Sequence, residues 1–282
     1  MATISAYPNG VTAYIPRGGE SMHERTKRTT IQGWSQSAVR RHTKWLYSVP
    51  VKSLDGSGYA VTLTMRDCPP TAEEFHRLRR TYLKRIERMG AVRIHWVIEW
   101  QRRGCPHLHL AIYVHDDLSK REQFALKSHW VDVAGPFGAE VQAQYVLPIT
   151  GASGWLQYLS KHAARGAAHY QRQGMPSGWE KSGRLWGHTG DWVVEEPMRF
   201  YLPQEAFFRY RRMVRSWRYA SARAESDLVT RRRRMIAARR MLRGNNRELA
   251  TVRGVSEWVS EDQNLAFLAL LAEQGFEIRQ TD

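Results

Sequence analysis

The chain holds only two cysteines, Cys68 and Cys105, in 282 residues. That number excludes a disulfide framework, and no paired-cysteine spacing suits a structural zinc site. A reducing cytoplasm is the compartment expected. No window approaches the ~18 consecutive apolar residues of a membrane-spanning helix. Residues 1–13 lack a basic stretch leading into an apolar core. A soluble, unprocessed protein with no membrane partner is expected. No internal repeat is present, and no Gly-x-x-x-x-Gly-Lys phosphate loop, so any strand unwinding must come from another protein. Acidic residues are scarce, 27 against 43 basic ones, which leaves a formal net charge of +16. Such a field concentrates polyanions and makes their binding salt-dependent, so nucleic acid is the expected partner. Against these shortages stand 42% hydrophobic and 11% aromatic residues, enough to bury a full core.

Residues 1–55 are rich in Gly, Ser, Thr and basic side chains, with Tyr7, Tyr14, Trp34 and Trp45 scattered without period. They read as a loosely structured basic arm. From Tyr59 the pattern sharpens: Tyr59, Val61, Leu63 and Met65 alternate with Ala60, Thr62, Thr64 and Arg66, the period of a half-buried strand. Asp67-Cys68-Pro69-Pro70 stops it. Thr71 then caps a helix with Glu73 and Glu74 in its first turn and Phe75, Leu78, Tyr82 and Ile86 as its apolar stripe. Strands over 93–101 and 107–114, joined by Arg102-Arg103-Gly104-Cys105-Pro106, form an expected hairpin. A helix over 120–129, a strand near 141–147 and a helix over 153–168 follow. The sum over 56–202 is an α+β domain, a central and mainly antiparallel β-sheet with helices on its faces. Beyond Pro203, Ala206, Phe207, Tyr210, Met213, Val214 and Trp217 keep helical spacing, so residues 203–282 read as a helical C-terminal appendage. Residues 199–253 carry 16 arginines, no lysine and 4 acidic residues, whereas 254–282 carry 6 acidic residues against Arg279.

Residues two apart on a strand share a face, so His107 and His109 project together while Leu108, Leu110 and Ile112 turn into a core. Two imidazoles so placed can share one cation. On the preceding strand, Ile94, Trp96, Ile98 and Trp100 form one face and His95, Val97 and Glu99 the other; a hairpin can bring Glu99 beside the histidine pair. Two neutral nitrogens and one carboxylate leave open positions on a divalent ion, as a catalytic site requires. His95 and His115 are the alternative ligands.

In the helix over 153–168, Trp155, Leu156, Leu159 and Ala163 share one side, and Tyr158, Lys161, His162 and Arg165 the other. A phenol with a pKa near ~10 is a weak nucleophile at neutral pH, and an adjacent ammonium lowers its barrier to attack.

Thr62-Leu63-Thr64 on a strand, Glu99 eight positions before a His-Leu-His strand, and Tyr158-x-x-Lys161 on a later helix together resemble the HUH endonuclease superfamily. Within it the chain is most similar to rolling-circle replication initiators of filamentous phages and small plasmids. Lys161-His162-Ala163-Ala164-Arg165-Gly166, His169-Tyr170 and Gly183-Arg184-Leu185-Trp186-Gly187 resemble the phage type in particular, and the likeness covers about residues 59–200. The resemblance implies a ferredoxin-like or RRM-like sheet with Mg²⁺ or Mn²⁺ on its central strands. It implies His107 and His109 as metal ligands, Glu99 as the third, Tyr158 as nucleophile and Lys161 as its helper. Two-tyrosine initiators place the second tyrosine about one turn after the first. Here that position is His162, so a single-tyrosine enzyme is expected, with Tyr170, an activated water or a second subunit as candidates for ending the replication round.

The implied reaction is nicking of single-stranded or extruded origin DNA, with a 5′-phosphotyrosyl link, a 3′-hydroxyl primer and later rejoining. Single-stranded DNA, origin duplex, a host helicase and the replication machinery of a bacterial cell are the implied partners. Arg102, Arg103 and Arg165 are candidates for phosphate contacts and Trp186, with His188 and Trp192, for base stacking. Arg231, Arg232, Arg233 and Arg234 are candidates for duplex binding. The competing readings are an HUH transposase, a relaxase, or a non-catalytic DNA-binding regulator on the same scaffold.

Overall fold

A computed structural model describes residues 1–16, 30, 32–150, 166–242, 252 and 254–281. The chain opens with β1 (Ala2–Tyr7) and β2 (Gly10–Tyr14), then α1 (Gln36–Ser48), β3 (Ser57–Leu63), α2 (Ala72–Arg88), β4 (Ala91–Trp100) and β5 (Pro106–Val114). It continues through α3 (Lys120–Ala134), β6 (Tyr145–Ile149), β7 (Trp186–Gly190), β8 (Met198–Leu202), α4 (Gln204–Arg223), α5 (Leu228–Arg240), β9 (Val255–Glu257), α6 (Glu261–Glu273) and β10 (Arg279–Thr281). These elements form an α+β fold in two units: one from the middle of the sequence, His23–Val193, and one from its two ends, Met1–Met22 and Val194–Asp282.

The sheet of the middle unit runs β6-β3-β5-β4-β7, and every neighbouring pair is antiparallel. With α2 between β3 and β4, and α3 between β5 and β6, this is the βαββαβ path of a ferredoxin-like sheet, extended by β7 outside β4. Thr71 caps α2 by accepting from Glu74 N, and Ser119 and Glu122 close a capping box on α3. The apolar stripes of α2 and α3 cover one face of the sheet. Phe75, Leu78, Tyr82, Ile86, Leu126 and Trp130 join Val61, Leu63, Leu108, Leu110, Ile94 and Ile98 in a single buried cluster. Tyr82 Oη donates to Leu126 O (3.1 Å) and Trp130 Nε1 to Thr64 O (2.9 Å), so the polar ends of both rings are satisfied inside that core. On β7, Gly187 pairs with Trp96, and a Cβ there would stand 2.6 Å from Trp96 Cζ2.

The sheet of the terminal unit runs β10-β8-β1-β2-β9. Ile4, Ala6, Phe200 and Leu202 pack with Phe207, Tyr210 and Val214 of α4 and Leu268 and Leu271 of α6. Tyr210 Oη lies 2.6 Å from Asn264 Oδ1, a buried pair inside this second core.

Several expectations need correction. The described residues of 1–55 are not a loose arm: β1 is a central, fully buried strand and α1 is a capped helix. In β1, Thr3 and Ser5 alternate with Ala2, Ile4 and Ala6, but the run is short and made of small side chains, so it reads like the Ser/Thr-rich surroundings although all five residues are buried. In α1 a buried His42 sits in the stripe with Val39 and Leu46, which masks the helical period. Residues 203–282 do contain helices, but they pack on a sheet that includes β8, so the boundary falls at 193/194 rather than 202/203. The strand expected over 141–147 begins with a 3₁₀ turn, Val141–Ala143, and forms at Tyr145–Ile149. The helix expected over 153–168 lies mostly outside the described residues, and Ala167 and Ala168 form a turn instead of its end. Among the described residues no helix is long and apolar enough to cross a membrane, and both cysteines are free.

Candidate active site

The antiparallel register of β3, β5 and β4 assembles the site. Thr62 pairs with His109, and Glu99 pairs with His107, so three adjacent strands each deliver a side chain to the same face. His109 Nε2 lies 3.1 Å from His107 Nε2 and 3.5 Å from Glu99 Oε2. One donor atom from each of the three falls within 4.8 Å of the others. Glu99 and His109 are buried, while His107 is half-buried and opens the group toward solvent.

Thr62 Oγ1 stands 3.0 Å from His109 Nδ1. A proton on Nδ1 directed at this hydroxyl leaves the Nε2 lone pair facing His107, the outer-shell arrangement that suits a ligating imidazole. Two imidazole nitrogens and one carboxylate oxygen are a borderline donor set for Mg²⁺, Mn²⁺ or a later transition ion, with coordination positions left for water and phosphate. The residues present therefore fit a catalytic divalent cation.

The carboxylate is held from behind. Arg172 Nε approaches Glu99 Oε1 at 3.2 Å, and both side chains are fully buried. The Arg172 guanidinium also lies 4.1 Å from the Trp34 ring centroid, and Trp34 Nε1 donates to Ile98 O (2.9 Å) on the strand that carries Glu99. Neither Arg172 nor Trp34 is legible in the sequence: both sit in polar, aperiodic stretches, and the Arg172–Glu99 pair spans 73 positions.

Other expected residues fall elsewhere. His95 is fully buried 3.0 Å from His42 Nε2, under α1, and His115 is exposed beyond the end of β5. Neither is part of the group. Trp45 of α1 stacks on His95 (4.9 Å) and His188 (4.5 Å), and burial lowers the His188 pKa. Trp186 packs beside His42 at 4.8 Å, and Trp192 meets Trp45 edge-on at 5.2 Å, so these rings fill the contact between α1 and the sheet rather than offer faces to bases. Arg103 donates to Met65 O, Arg66 O and Gln101 Oε1, tying the β4–β5 turn to the loop after β3, which takes its guanidinium away from phosphate contacts. Arg102 is exposed, 5.6 Å over the ring of an equally exposed Tyr170. Arg232, Arg233 and Arg234 are exposed on α5 and Arg231 is half-buried; Arg234 is bonded to Glu225 (2.7 Å). Tyr158, Lys161, His162 and Arg165 lie outside the described residues.

A ferredoxin-like sheet thus gathers two histidines and a carboxylate on its central strands in a strongly basic chain, and comparison with known proteins places that chain among replication proteins. The chain belongs to the replication-associated protein ORF2 family, whose model matches residues 58–170. It is 41% identical to a replication-associated protein of Pseudomonas phage Pf3, over 95% of both chains. It is 43% identical to a putative replication protein of Xylella fastidiosa strain 9a5c, over 99% of both chains. A putative replication protein of Xylella fastidiosa strain Temecula1 is also 43% identical, over 92% of this chain and all of its own. No solved structure matches the chain.

Proposed function

We propose that the chain is an HUH-type initiator of rolling-circle replication that nicks single-stranded or extruded origin DNA, with Tyr158 as its one nucleophilic tyrosine and Mg²⁺ or Mn²⁺ held by Glu99, His107 and His109. The observation that carries this reading is the convergence of those three donors within 4.8 Å, with Thr62 behind His109. When bound, the cation supplies positive charge that polarises the scissile phosphate. Tyr158 Oη attacks the phosphorus in line and loses its proton to solvent. The bond to the 3′ oxygen breaks, and that oxygen takes up a proton to become the primer hydroxyl. Lys161, three positions on, favours the charged phenolate by its ammonium. The 5′-phosphotyrosyl bond keeps the strand activated, so a later attack by a 3′-hydroxyl rejoins it. Arg172 holds Glu99 in place throughout, and Thr62 holds the His109 ring.

Membership in a family of replication proteins favours an initiator over a transposase or relaxase. The exposed arginines of α5 support contact with origin duplex, and the lack of a phosphate loop in the sequence supports recruitment of a host helicase in the bacterial cytoplasm. The test is covalent labelling. The full chain is incubated with Mn²⁺ and single-stranded oligonucleotides tiling both strands of its replicon, and adducts are resolved on denaturing gels. An adduct on one strand, absent in Tyr158→Phe and abolished by EDTA, is expected. No adduct on any oligonucleotide would sink the enzymatic reading, and an adduct that survives Tyr158→Phe would move the nucleophile elsewhere.

A further inference from the structure

A cavity of about 430 Å³ opens between the β4–β5 turn and the segment around Tyr170. Its walls include Trp100, Arg102, Gly104, Tyr170, Gln173 and Met175. Two of these, Tyr170 and Gln173, flank the stretch that carries Arg172, whose Nε lies 3.2 Å from Glu99 Oε1. The cavity is thus bounded by the same segment that holds the carboxylate of the candidate site from behind.

The wall chemistry selects the occupant. Tyr170 is 53% exposed, with the His169 ring 4.7 Å away, and the Arg102 guanidinium lies 5.6 Å over it. An exposed aromatic face opposite a cation is a platform for a planar π-system that carries negative charge nearby. Met175 supplies apolar wall, and the end of β4 at Trp100 closes that side. Gln173 is exposed and its amide offers both a donor and an acceptor, the pairing that reads a base edge. Gly104, at φ +80°, has open space where a Cβ would stand, so the turn leaves the entrance clear. The volume lies in the range of small-ligand clefts and holds one base, not a duplex.

We propose that this cavity receives a single unpaired nucleobase of the DNA strand next to the nicked phosphate, stacked on Tyr170, with its sugar–phosphate near Arg102 and its edge read by Gln173. The inference rests on the proposed nicking activity for the identity of the strand. It gives the enzyme a means of choosing where it cuts, and it assigns Tyr170 a binding role in place of a second nucleophile.

The experiment uses the full chain in EDTA, so that binding is read without chemistry. Fluorescent single-stranded oligonucleotides covering the nick region carry one abasic residue at each position in turn, and affinity is read by anisotropy. For the unaltered protein one position is expected to cost roughly tenfold, the weight of one base–aromatic stack. Tyr170→Ala should bind the intact oligonucleotide more weakly and lose nothing further at that position, Gln173→Ala should bind it more weakly and show a smaller abasic penalty there, and Tyr170→Phe should behave as the unaltered protein. Both side chains are exposed, so these changes leave the core untouched. Equal abasic penalties in variant and unaltered protein, the absence of any sensitive position, or a Tyr170→Phe that behaves like Tyr170→Ala would each overturn the proposal. Abasic sensitivity that Tyr170→Ala removes, in a protein that forms no covalent adduct with Mn²⁺, would leave the base pocket standing and remove the nicking activity. Normal adducts with unaltered position preference in both alanine variants would do the reverse.

Discussion

Arg172 Nε lies 3.2 Å from Glu99 Oε1, with neither side chain reaching solvent. A charged carboxylate in that position is costly to bury, and the close guanidinium offsets its desolvation. Arg172→Met should therefore destabilise the chain by about 3–5 kcal/mol, the usual result of removing one partner of a buried ion pair. Adding Glu99→Gln to it should return much of that loss. Urea unfolding of both variants, followed by far-UV circular dichroism, checks this, and a Glu99→Gln change that gives no relief would show that the pair is not what holds the two segments together.

Thr62→Val keeps the size of the side chain and removes the hydroxyl 3.0 Å from His109 Nδ1. With the ring no longer oriented, affinity for Mn²⁺ should fall about 10–100-fold. Calorimetric titration of Mn²⁺ into the unaltered and variant proteins reads the effect. Equal affinities would mean that Thr62 has no part in preparing the site.

Acid should weaken the middle unit before it reaches the carboxylates. His76 is buried, its Nε2 is 2.9 Å from Ser182 O and its Nδ1 has no partner, and burial lowers its pKa from 6.5 to about 4. The unfolded chain takes up this proton near pH 6.5, while the folded chain resists it until about pH 4. The contribution is thus complete above about pH 6.5, declines as the pH falls toward 4, and totals roughly 3 kcal/mol at most. His76→Gln should flatten the stability profile across this window, measured as Tm against pH, and an unchanged slope would place the acid sensitivity elsewhere.

Gly187→Ala should lower stability by about 1–3 kcal/mol, since the added methyl meets the Trp96 ring at 2.6 Å inside a packed face. Trp96→Leu in the same chain should take back part of the penalty. Thermal melts of the single and double variants give the coupling, and strictly additive losses would rule out the steric account.

Arg232 and Arg233 point outward from α5. If they neutralise phosphates of origin duplex, changing each to glutamine should reduce the slope of log affinity against log salt by about 0.9 per arginine. A slope that does not move would assign these arginines to something other than DNA.

The part of the molecule that the sequence makes readable is the part whose side chains alternate or recur at fixed intervals. The His107–His109 strand, the Glu99 strand and the cap of α2 follow from periodicity and neighbouring residues alone. Local order carried these elements, because each is bounded by its own Pro, Gly or capping side chain. Arg172 and Trp34 are invisible to that logic: their roles depend on residues 73 and 64 positions away and on no repeating pattern. The same reason hides the terminal sheet. β1 pairs with β8 across a long separation, Ala2 with Leu202, and its buried Thr3 and Ser5 look like loop residues when read alone. Trp186 misleads in the opposite direction, since a tryptophan beside histidines in a glycine-rich stretch reads as a stacking surface when it is packing for α1.

The place of β1 between β2 and β8 bears on how the protein is made. The ribosome delivers β1 first and β8 only after all of residues 23–193 have emerged, so the middle unit can fold during synthesis while the terminal sheet waits for its second half. During that interval β1 presents an open hydrogen-bonding edge, a template for wrong pairing. A message cut short after the middle unit would yield a folded sheet with its histidine group intact and a sticky strand that nothing covers. A covered β1 edge thus depends on translation running through β8, which ties the soundness of the terminal sheet to the completeness of the message.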